Sequence, residues 1–429
     1  PRGGAPRAGR PRVAILGAGP AGLMAAERLA DGHDVVVYDR MRGVGRKFLM
    51  AGRGGLNITH AEPMPAFLAR YRGSAPRLAP ILADFPPGAL RAWCEGLGQE
   101  TFVGSSGRVF PRAMKASPLL RAWTRRLEES GVRMELGRRW TGWRADGALA
   151  FGAAAGGAHA AFADATILAL GGASWPRLGA DGAWASPLRG AGVAVEEFAA
   201  SNCGVEIAWS EHLRARFAGA PLKRIALRAG DEVVRGEAVV TARGLEGGAV
   251  YALSAPLRAA LARGAGARLE LDLRPDLSAE ALARALDAPR GAQSLANFLR
   301  KAAGLPPVAI ALLREAHGRD LPQAPRALAA AIKSLGLRVR ALEGLERAIS
   351  SAGGVAWDEL DEELMLRRRP GVFAGGAMVA GGAPLGRRGI ACGDLLGREE
   401  LVVEATQVLG LETLDALHRA LRRPAARVE

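Results

Sequence analysis

Val13-Ala14-Ile15-Leu16 is a run without a polar residue. A strand with one wet face alternates, so an unbroken apolar run predicts a parallel strand covered on both faces. Gly17-Ala18-Gly19-Pro20-Ala21-Gly22 follows, then a helical pattern to Ala30. Val35-Val36-Val37-Tyr38 repeats the apolar run and closes on Asp39. Strand, helix and strand in this order predict a βαβ opening and an α/β fold. Residues 62–100 predict helices with Pro-rich breaks. Leu119–Glu129 predicts an amphipathic helix after Ser117-Pro118. Val132–Leu136 and Trp140–Trp143 predict strands, and Ala165–Leu170 another buried strand ending at Gly171-Gly172.

The texture changes after Val195. Val205–Trp209, Arg224–Leu227, Glu232–Val234 and Ala238–Thr241 are short strand-like pieces between turns, which predicts a small β domain. Ser278–Leu335 is helical in pattern with proline breaks. Val355–Trp357 and Val372-Phe373 return to strand, and Val402–Ala420 is mostly helical. No repeat of fixed period is present.

Gly17, Gly19 and Gly22 form G-x-G-x-x-G between a strand and a helix. The first glycine permits the tight turn, the second lets a pyrophosphate approach the backbone, and the third lets helix pack on strand. Pro20 and Ala21 open a helix whose free N–H groups face the phosphates. Asp39 ends the second strand, where a carboxylate accepts hydrogen bonds from ribose hydroxyls. A nicotinamide dehydrogenase would continue with alternating strands and helices. Here a glycine-rich stretch follows, Gly43 to Asn57, whose bare backbone admits a bulky ligand. Arg46 and Lys47 within it are suited to neutralising phosphate.

Composition narrows the field. Of the 429 residues, 49% are hydrophobic and 24% charged, which excludes a disordered chain. The three cysteines, Cys94, Cys203 and Cys392, are far apart without a CxxC. That excludes a disulfide scaffold, a zinc ribbon and a dithiol redox centre, and fits a cytoplasmic location. The net charge of +15 raises a nucleic-acid partner. Lys47, Lys115, Lys223, Lys301 and Lys333 are the only lysines; all other basic residues are arginine, in a chain crowded with alanine and glycine. GC-rich codons give that composition without selection for RNA, so an RNA partner is not the preferred reading. Val13–Ala30 is too short and too interrupted to span a membrane. The basic stretch before it imitates a secretion leader, but the apolar run continues into the nucleotide motif. Residues 1–11 read as a disordered arm. The six histidines are scattered without metal spacing, so no metal is expected. There is no G-x-S-x-G and no second G-x-G-x-x-G, so no separate NAD(P)H domain is expected. Trp175 and Trp184 read as core packing, and His60 as a surface-loop histidine.

These residues resemble the bacterial HI0933-like (YhiN-like, BaiN-like) FAD-binding flavoproteins, and within them the aminoacetone-oxidase-like branch. The motifs that carry the likeness are Gly17 to Asp39, Gly45-Arg46-Lys47 and Gly52-Arg53-Gly54-Gly55-Leu56-Asn57-Ile58-Thr59-His60. Ser105 to Pro111 with Lys115, Leu168 to Ser174, Pro221-Leu222-Lys223, Gly236-Glu237 with Gly244-Leu245-Glu246-Gly247, and Ser351 to Val355 complete it. The likeness spans roughly residues 12–375.

It implies a Rossmann-like FAD domain of the two-dinucleotide-binding-fold type, split by an insertion holding a small β-barrel and a helical subdomain. The expected boundaries are FAD domain 12–194 and 347–429, β-rich subdomain 195–275 and helical subdomain 276–346. Gly17, Gly19, Pro20, Ala21, Gly22, Asp39, Gly45, Arg46, Lys47, Gly52, Gly54 and Asn57 would contact FAD. Ala169, Gly171, Gly172 and Gly375 would pass close to it, Val132–Trp140 would flank the adenine, and Asn57 and His60 are the candidates for polar contacts near the isoalloxazine, with a surface loop the preferred reading of His60. Family members usually carry a third segment, a strand followed by Gly-Glu and then a Gly-Gly pair. Here Gly371–Gly375 supplies the strand, but Gly376-Ala377 replaces the acid and Pro384-Leu385-Gly386-Arg387-Arg388-Gly389 the Gly-Gly step. The implied activity is flavin-mediated hydride transfer, either C=C reduction or amine-type oxidation of a small molecule, with transient NAD(P)H as a donor. Reduction of a uracil base in ribosomal RNA, and a homologue that has lost its flavin, are the alternatives.

Overall fold

The computed structural model describes residues 9–51, 55–69, 71, 75–105, 107–154, 157–264 and 266–379. These residues divide into two compact units, one running to Ala199 and resuming at Ile349, the other essentially Ala200–Ala348.

The first unit opens with β1 (Arg12–Leu16), α1 (Pro20–Leu29), β2 (Asp34–Asp39) and α2 (Arg46–Ala51). A three-stranded antiparallel sheet follows, built from β3 (Thr59–His60), β4 (Thr101–Val103) and β5 (Arg108–Pro111). Helices α3 (Met64–Ala69), α4 (Ala75–Asp84) and α5 (Pro87–Gly96) lie between β3 and β4, and α6 (Ala116–Glu129) leads to β6 (Arg133–Leu136). A meander, β7 (Trp140–Trp143), β8 (Leu149–Ala154) and β9 (Gly157–Ala161), precedes β10 (Ala165–Leu168), α7 (Ala185–Gly190) and β11 (Val195–Ser201).

The second unit contributes β12 (Val205–Glu206), α8 (Glu211–Phe217), β13 (Pro221–Ala229), β14 (Glu232–Val240), β15 (Gly244–Glu246), α9 (Gly248–Tyr251), α10 (Ser254–Ala262) and β16 (Ala267–Asp272). Helices α11 (Ala279–Leu286), α12 (Leu295–Ala302), α13 (Pro307–His317) and α14 (Pro325–Lys333) come next, then β17 (Leu335–Val339) and β18 (Ala341–Leu342). The chain returns through β19 (Ser350–Val355), which pairs with β11, and ends its described course with β20 (Val372–Ala374).

The main sheet of the first unit runs β20-β10-β1-β2-β6, with every neighbour parallel. Its apolar runs have a direct cause. Val13, Ile15, Val35 and Val37 point into one core with α1 and α6, while Ala14, Leu16, Val36 and Tyr38 point into a second core with the meander. Both faces are covered from Val13 to Leu16, so none of these positions is polar. After β1 the chain moves to β2 on one side, and β10 lies on the other. That divergence places the switch point at the carboxyl end of β1, where open α/β sheets bind ligands.

The second unit holds strands both before and after its run of helices. Its seven-stranded sheet, β17-β16-β13-β14-β15-β12-β18, takes β17 and β18 from beyond the helices. Leu335, Leu337 and Val339 alternate inward with Leu269 and Leu271 of β16, and the helices α11 to α14 seal the same core. The two edge strands are separated in sequence by Arg340 alone, whose N–H donates to Glu206 O at 2.8 Å. The sheet therefore curls its edges together, barrel-like. The pieces read as Arg224–Leu227, Glu232–Val234 and Ala238–Thr241 are one long hairpin bent at a bulge between Leu222 and Ile225. Only Val205-Glu206 of Val205–Trp209 is strand, and Trp357 starts a 3-10 turn instead of continuing β19.

Among the described residues no helix is long and apolar enough to cross a membrane.

Candidate functional site

The Gly17–Gly22 loop occupies the switch point. Gly17 has φ +114°, a left-handed value that costs a side-chain-bearing residue dearly. A Cβ there would also lie 2.2 Å from Ala169 O, on the neighbouring strand end. Gly17 N–H donates to Tyr38 O at 2.7 Å. A Cβ on Gly22 would lie 1.9 Å from Gly17 O, so this glycine lets α1 rest on its own loop. Gly19 differs. It has ordinary extended backbone (φ −82°, ψ 179°), and a Cβ there would meet nothing within 4 Å. The fold does not need glycine at 19; a ligand approaching the backbone does. Gly19 is also the N-cap of α1, with Pro20 at the first helical position and no side chain capping the free amides. An uncapped helix start beside open space is an anion cradle.

Asp39 ties this loop to β2. Its Oδ2 accepts from Ala18 N–H and its Oδ1 from Met41 N–H, each at 2.7 Å. Burial pushes its carboxyl up from the ordinary value, with the two amides, Arg40 and Arg46 opposing. Each oxygen keeps a second lone pair for a hydroxyl donor. The turn after β6 joins here, because Arg138 N–H donates to Asp39 O at 2.8 Å and Gly137 N–H to Met41 O at 3.1 Å.

α2 springs from the same loop. Gly45 (φ +60°) donates to Ala18 O at 2.8 Å, and a Cβ on it would meet Leu120 Cδ2 at 2.8 Å. Arg46 is exposed. Lys47 turns inward, and its Nζ donates to Ser174 Oγ at 2.6 Å. The stem keeps some contact with water, but the amine sits among packed atoms, and burial lowers it to about 8. Among the described residues no carboxylate is paired with it.

The third side is the carboxyl end of β10. Ala169 N–H donates to Leu16 O at 2.8 Å, which aligns the end of β10 with the glycine loop. Gly171 has φ +74°. Gly172 abuts β19, and a Cβ there would meet Ser351 Oγ at 2.1 Å. Ser174 Oγ donates onward to Ile349 O at 3.2 Å, and Ala173 N–H donates to Ser351 Oγ at 2.9 Å. Gly375 follows β20 and donates to Leu168 O at 2.9 Å. In place of the acid that the family pattern carries, Gly376–Met378 forms a 3-10 turn. Leu170 N–H donates to Met378 Sδ at 3.0 Å, so this turn packs on the β10 loop.

These contacts bring Gly17, Gly19, Pro20, Ala21, Gly22, Asp39, Gly45, Lys47, Ala169, Gly171, Gly172 and Gly375 to one edge of one sheet. A family model described as HI0933-like protein Rossmann domain matches residues 11–389. The chain belongs to the HI0933-like family. It is 28% identical over 284 residues to the 3-dehydro-bile acid delta(4,6)-reductase of Clostridium scindens, covering 64% of this chain and 68% of that protein. Over 53 residues it is 49% identical to the ribosomal RNA dihydrouridine synthase of Haemophilus influenzae, a stretch covering 12% of this chain and 13% of that one. A flavocytochrome c3 fumarate reductase in its open conformation shares the fold, with a TM-score of 0.52 at 17% identity, covering 97% of this chain and 79% of that one.

The residues of this chain fit FAD. The open approach at Gly19, the uncapped start of α1 and the unpaired ammonium of Lys47 all call for an anion. Asn57 is fully buried, and among the described residues neither oxygen nor nitrogen of its carboxamide has a partner. Gly52 and Gly54 lie outside the described residues, as do 380–393 and Cys392.

Several outcomes depart from the sequence reading. At Gly172 a Cβ would meet the Ser351 hydroxyl at 2.1 Å, a contact that the strand-then-turn pattern did not reveal. His60 is not a surface-loop residue: it lies in β3, partly buried, with Nδ1 3.4 Å from Glu62 Oε1. Trp184, by contrast, packs in the core as read, and it also donates from Nε1 to Gly171 O at 2.8 Å, so it props the β10 loop. Ser174, Ser351 and Thr59 lie in the motifs that carry the family likeness but were assigned no role, since single hydroxyl residues carry no spacing signal. In the second unit, Glu246 of the Gly244–Gly247 motif pairs with Arg347, which also reaches Glu343 at 3.1 Å. Burial, followed by the charge of Glu246, raises the Glu343 carboxyl.

Proposed function

We propose that this chain reduces a carbon–carbon double bond conjugated to a carbonyl group in a small organic substrate. The observation that carries this reading is the 284-residue match to a reductase whose name specifies such bonds. The dihydrouridine synthase points to the same bond type, because dihydrouridine is uridine with the ring C=C beside a carbonyl saturated. Amine oxidation has no comparable support.

Bound FAD supplies hydride transfer through its N5 position. The chain's own residues hold and orient it. The amides of Gly19, Pro20-flanking Ala21 and Gly22 at the start of α1 serve the pyrophosphate, and Gly17 sets the turn that presents them. Asp39 accepts from the ribose of the AMP half with the lone pairs its amide contacts leave free. Lys47 offers the charge that the phosphates require, and exposed Arg46 adds to the field around Asp39. Ala169, Gly171, Gly172 and Gly375 present backbone at the strand ends beside the loop. In the substrate the hydride brings its own electron pair to the β-carbon and the π pair takes a proton from solvent at the α-carbon, so the C=C bond becomes a C–C single bond with two new C–H bonds. NAD(P)H is the proposed source of the reducing equivalents.

Anaerobic mixing tests this reading. The protein is reduced with dithionite and mixed with a cyclic enone, an isolated alkene or a uridine-containing ribosomal RNA fragment; the oxidised protein is mixed with a primary amine. The flavin absorbance is expected to return with the enone and not with the alkene, and the amine is expected to leave it unchanged. Return with the RNA fragment alone would transfer the reading to a uracil base, which the 53-residue match favours. Bleaching by the amine without reoxidation by the enone would overturn it.

A further inference from the structure

We propose that Glu246 and Glu343 share one proton above Gly204, and that this proton fastens the two stretches of chain, 200–204 and 343–348, by which the second unit is joined to the rest of the molecule. The inference rests on the second unit alone and needs no cofactor.

The sheet register brings the two acids together. β12 is flanked by β15 and β18, and Val205 lies opposite Leu245 on one side and Leu342 on the other. The next positions in register on the three strands are Glu246, Gly204 and Glu343. Both acids therefore stand beside the same residue, and that residue has no side chain. A Cβ on Gly204 would meet Glu343 Oε2 at 2.6 Å and Glu246 Cγ at 2.8 Å. The space over the glycine is filled by the two carboxyl groups, which are hydrogen-bonded to each other.

The charges around this pair do not balance. Among the described residues one guanidinium serves both acids: Arg347 Nη2 donates to Glu246 Oε1 at 2.6 Å, and its Nε lies 3.1 Å from Glu343 Oε1. Glu343 is 2% exposed. The neighbouring charges are committed elsewhere or add to the acid. Arg243 pairs with Glu206, Arg258 donates to Ala200 O at 2.8 Å, Arg340 is exposed, and Glu346 lies beside Gly344. Two touching carboxylates with one cation leave a negative charge in a dry site, which favours taking up a proton. A hydrogen bond between two carboxyl groups also requires a proton on one of them. Burial first, and then the charge of Glu246, place that proton on Glu343.

The pair sits where the chain enters and leaves the unit. Glu343 N–H donates to Gly204 O at 2.9 Å, so the two stretches are bonded to each other directly beneath the carboxyls. Cys203 N–H donates to Ser254 Oγ at 3.1 Å, and the N–H groups of Arg347 and Ala348 to Gly344 O at 3.0 Å each. A carboxyl raised in the folded chain contributes stability that is complete below its ordinary value of 4.5 and is lost as pH rises through its folded value. With the proton in place the acids attract. When it leaves to solvent they repel across Gly204, and the two stretches open more readily.

Hydrogen exchange of the ligand-free full chain tests this, read by mass spectrometry from about pH 5 to about pH 8 and corrected for intrinsic rates. Protection of 200–206 and 341–348 is expected to fall by about tenfold across that range, while α12 to α14 hold theirs. Glu343→Gln keeps a donor toward Glu246 at every pH, so it should stay at the protected level throughout. Glu246→Gln should move the fall to lower pH, because Glu343 loses the charge that opposes its ionisation. Flat protection in wild type, or a Glu343→Gln that follows the wild-type fall, would overturn the proposal. If Glu343→Gln does not fold, Glu246→Gln decides: a fall at the wild-type pH overturns the shared proton, and a shifted one supports it.

Discussion

Gly22→Val is expected to leave little folded protein. The added Cβ would sit 1.9 Å from Gly17 O and 3.2 Å from Ile15 Cγ2. The first contact is backbone of the loop that α1 rests on, so no side-chain rotation relieves it. Either α1 lifts from β1 or the loop unwinds. Lifting α1 opens the core that Leu23, Ala26 and Leu29 share with Val13 and Ile15. A loss of more than about 4 kcal/mol is expected, from a total that rarely exceeds about 15 kcal/mol. Gly17→Ala belongs to the same class, since it adds a clash with Ala169 O to a positive φ. Urea titration followed by circular dichroism measures both. A stability within about 1 kcal/mol of wild type would mean that the loop relaxes at little cost, and the close packing of helix on loop would not be essential.

The ligand-free protein is expected to gain stability as pH rises from about 8 to about 10.5. Lys47 is the cause. Burial lowers its amine to about 8, against an ordinary 10.5 in the unfolded chain. Between those values the unfolded state binds more protons than the native state, so the unfolding free energy increases with pH. Below pH 8 both states hold the proton and the full penalty of the buried charge is present. The gain is at most about 3 kcal/mol at 1.36 kcal/mol per pKa unit, reduced by the water that reaches the lysine stem. Lys47→Met should remove this slope and stabilise the ligand-free protein near neutral pH. FAD should act oppositely, because its phosphates favour the ammonium; its affinity should fall above pH 8, with proton uptake on binding measurable by calorimetry in buffers of different ionisation enthalpy. A flat stability profile in wild type, or an unchanged slope in Lys47→Met, would show that the amine is not desolvated as the geometry implies.

The N-terminal half of the site was legible because its residues answer to local rules. A strand covered on both faces must be apolar, a turn at positive φ favours glycine, and a helix packed on its own loop needs another. Each leaves a mark at fixed spacing, which is why Gly17 to Asp39 could be read directly. Contacts made across distant segments leave none. Lys47 meeting Ser174, Gly172 meeting Ser351 and Leu170 meeting Met378 join residues 127, 179 and 208 positions apart, and only the topology β20-β10-β1 brings them together. The second unit shows the same limit. Its hairpin was read as fragments because the bulge after Leu222 breaks the alternation. β17 and β18 lie beyond the helices yet complete the sheet, a pairing that no local spacing announces.

Gly19 separates what the fold requires from what the ligand requires. Its backbone angles suit any residue, and a side chain there meets only open space. Valine at this position therefore leaves the fold intact and fills the path of the pyrophosphate. The direct measurement is an FAD titration of wild type and Gly19→Val, followed by flavin fluorescence, with a thermal melt of each ligand-free protein as the control. The result expected is saturable binding by wild type, none by Gly19→Val, and melting midpoints that agree within a few degrees. Equal FAD affinities in the two proteins would contradict the assignment of the Gly17–Gly22 loop as the cradle of the cofactor.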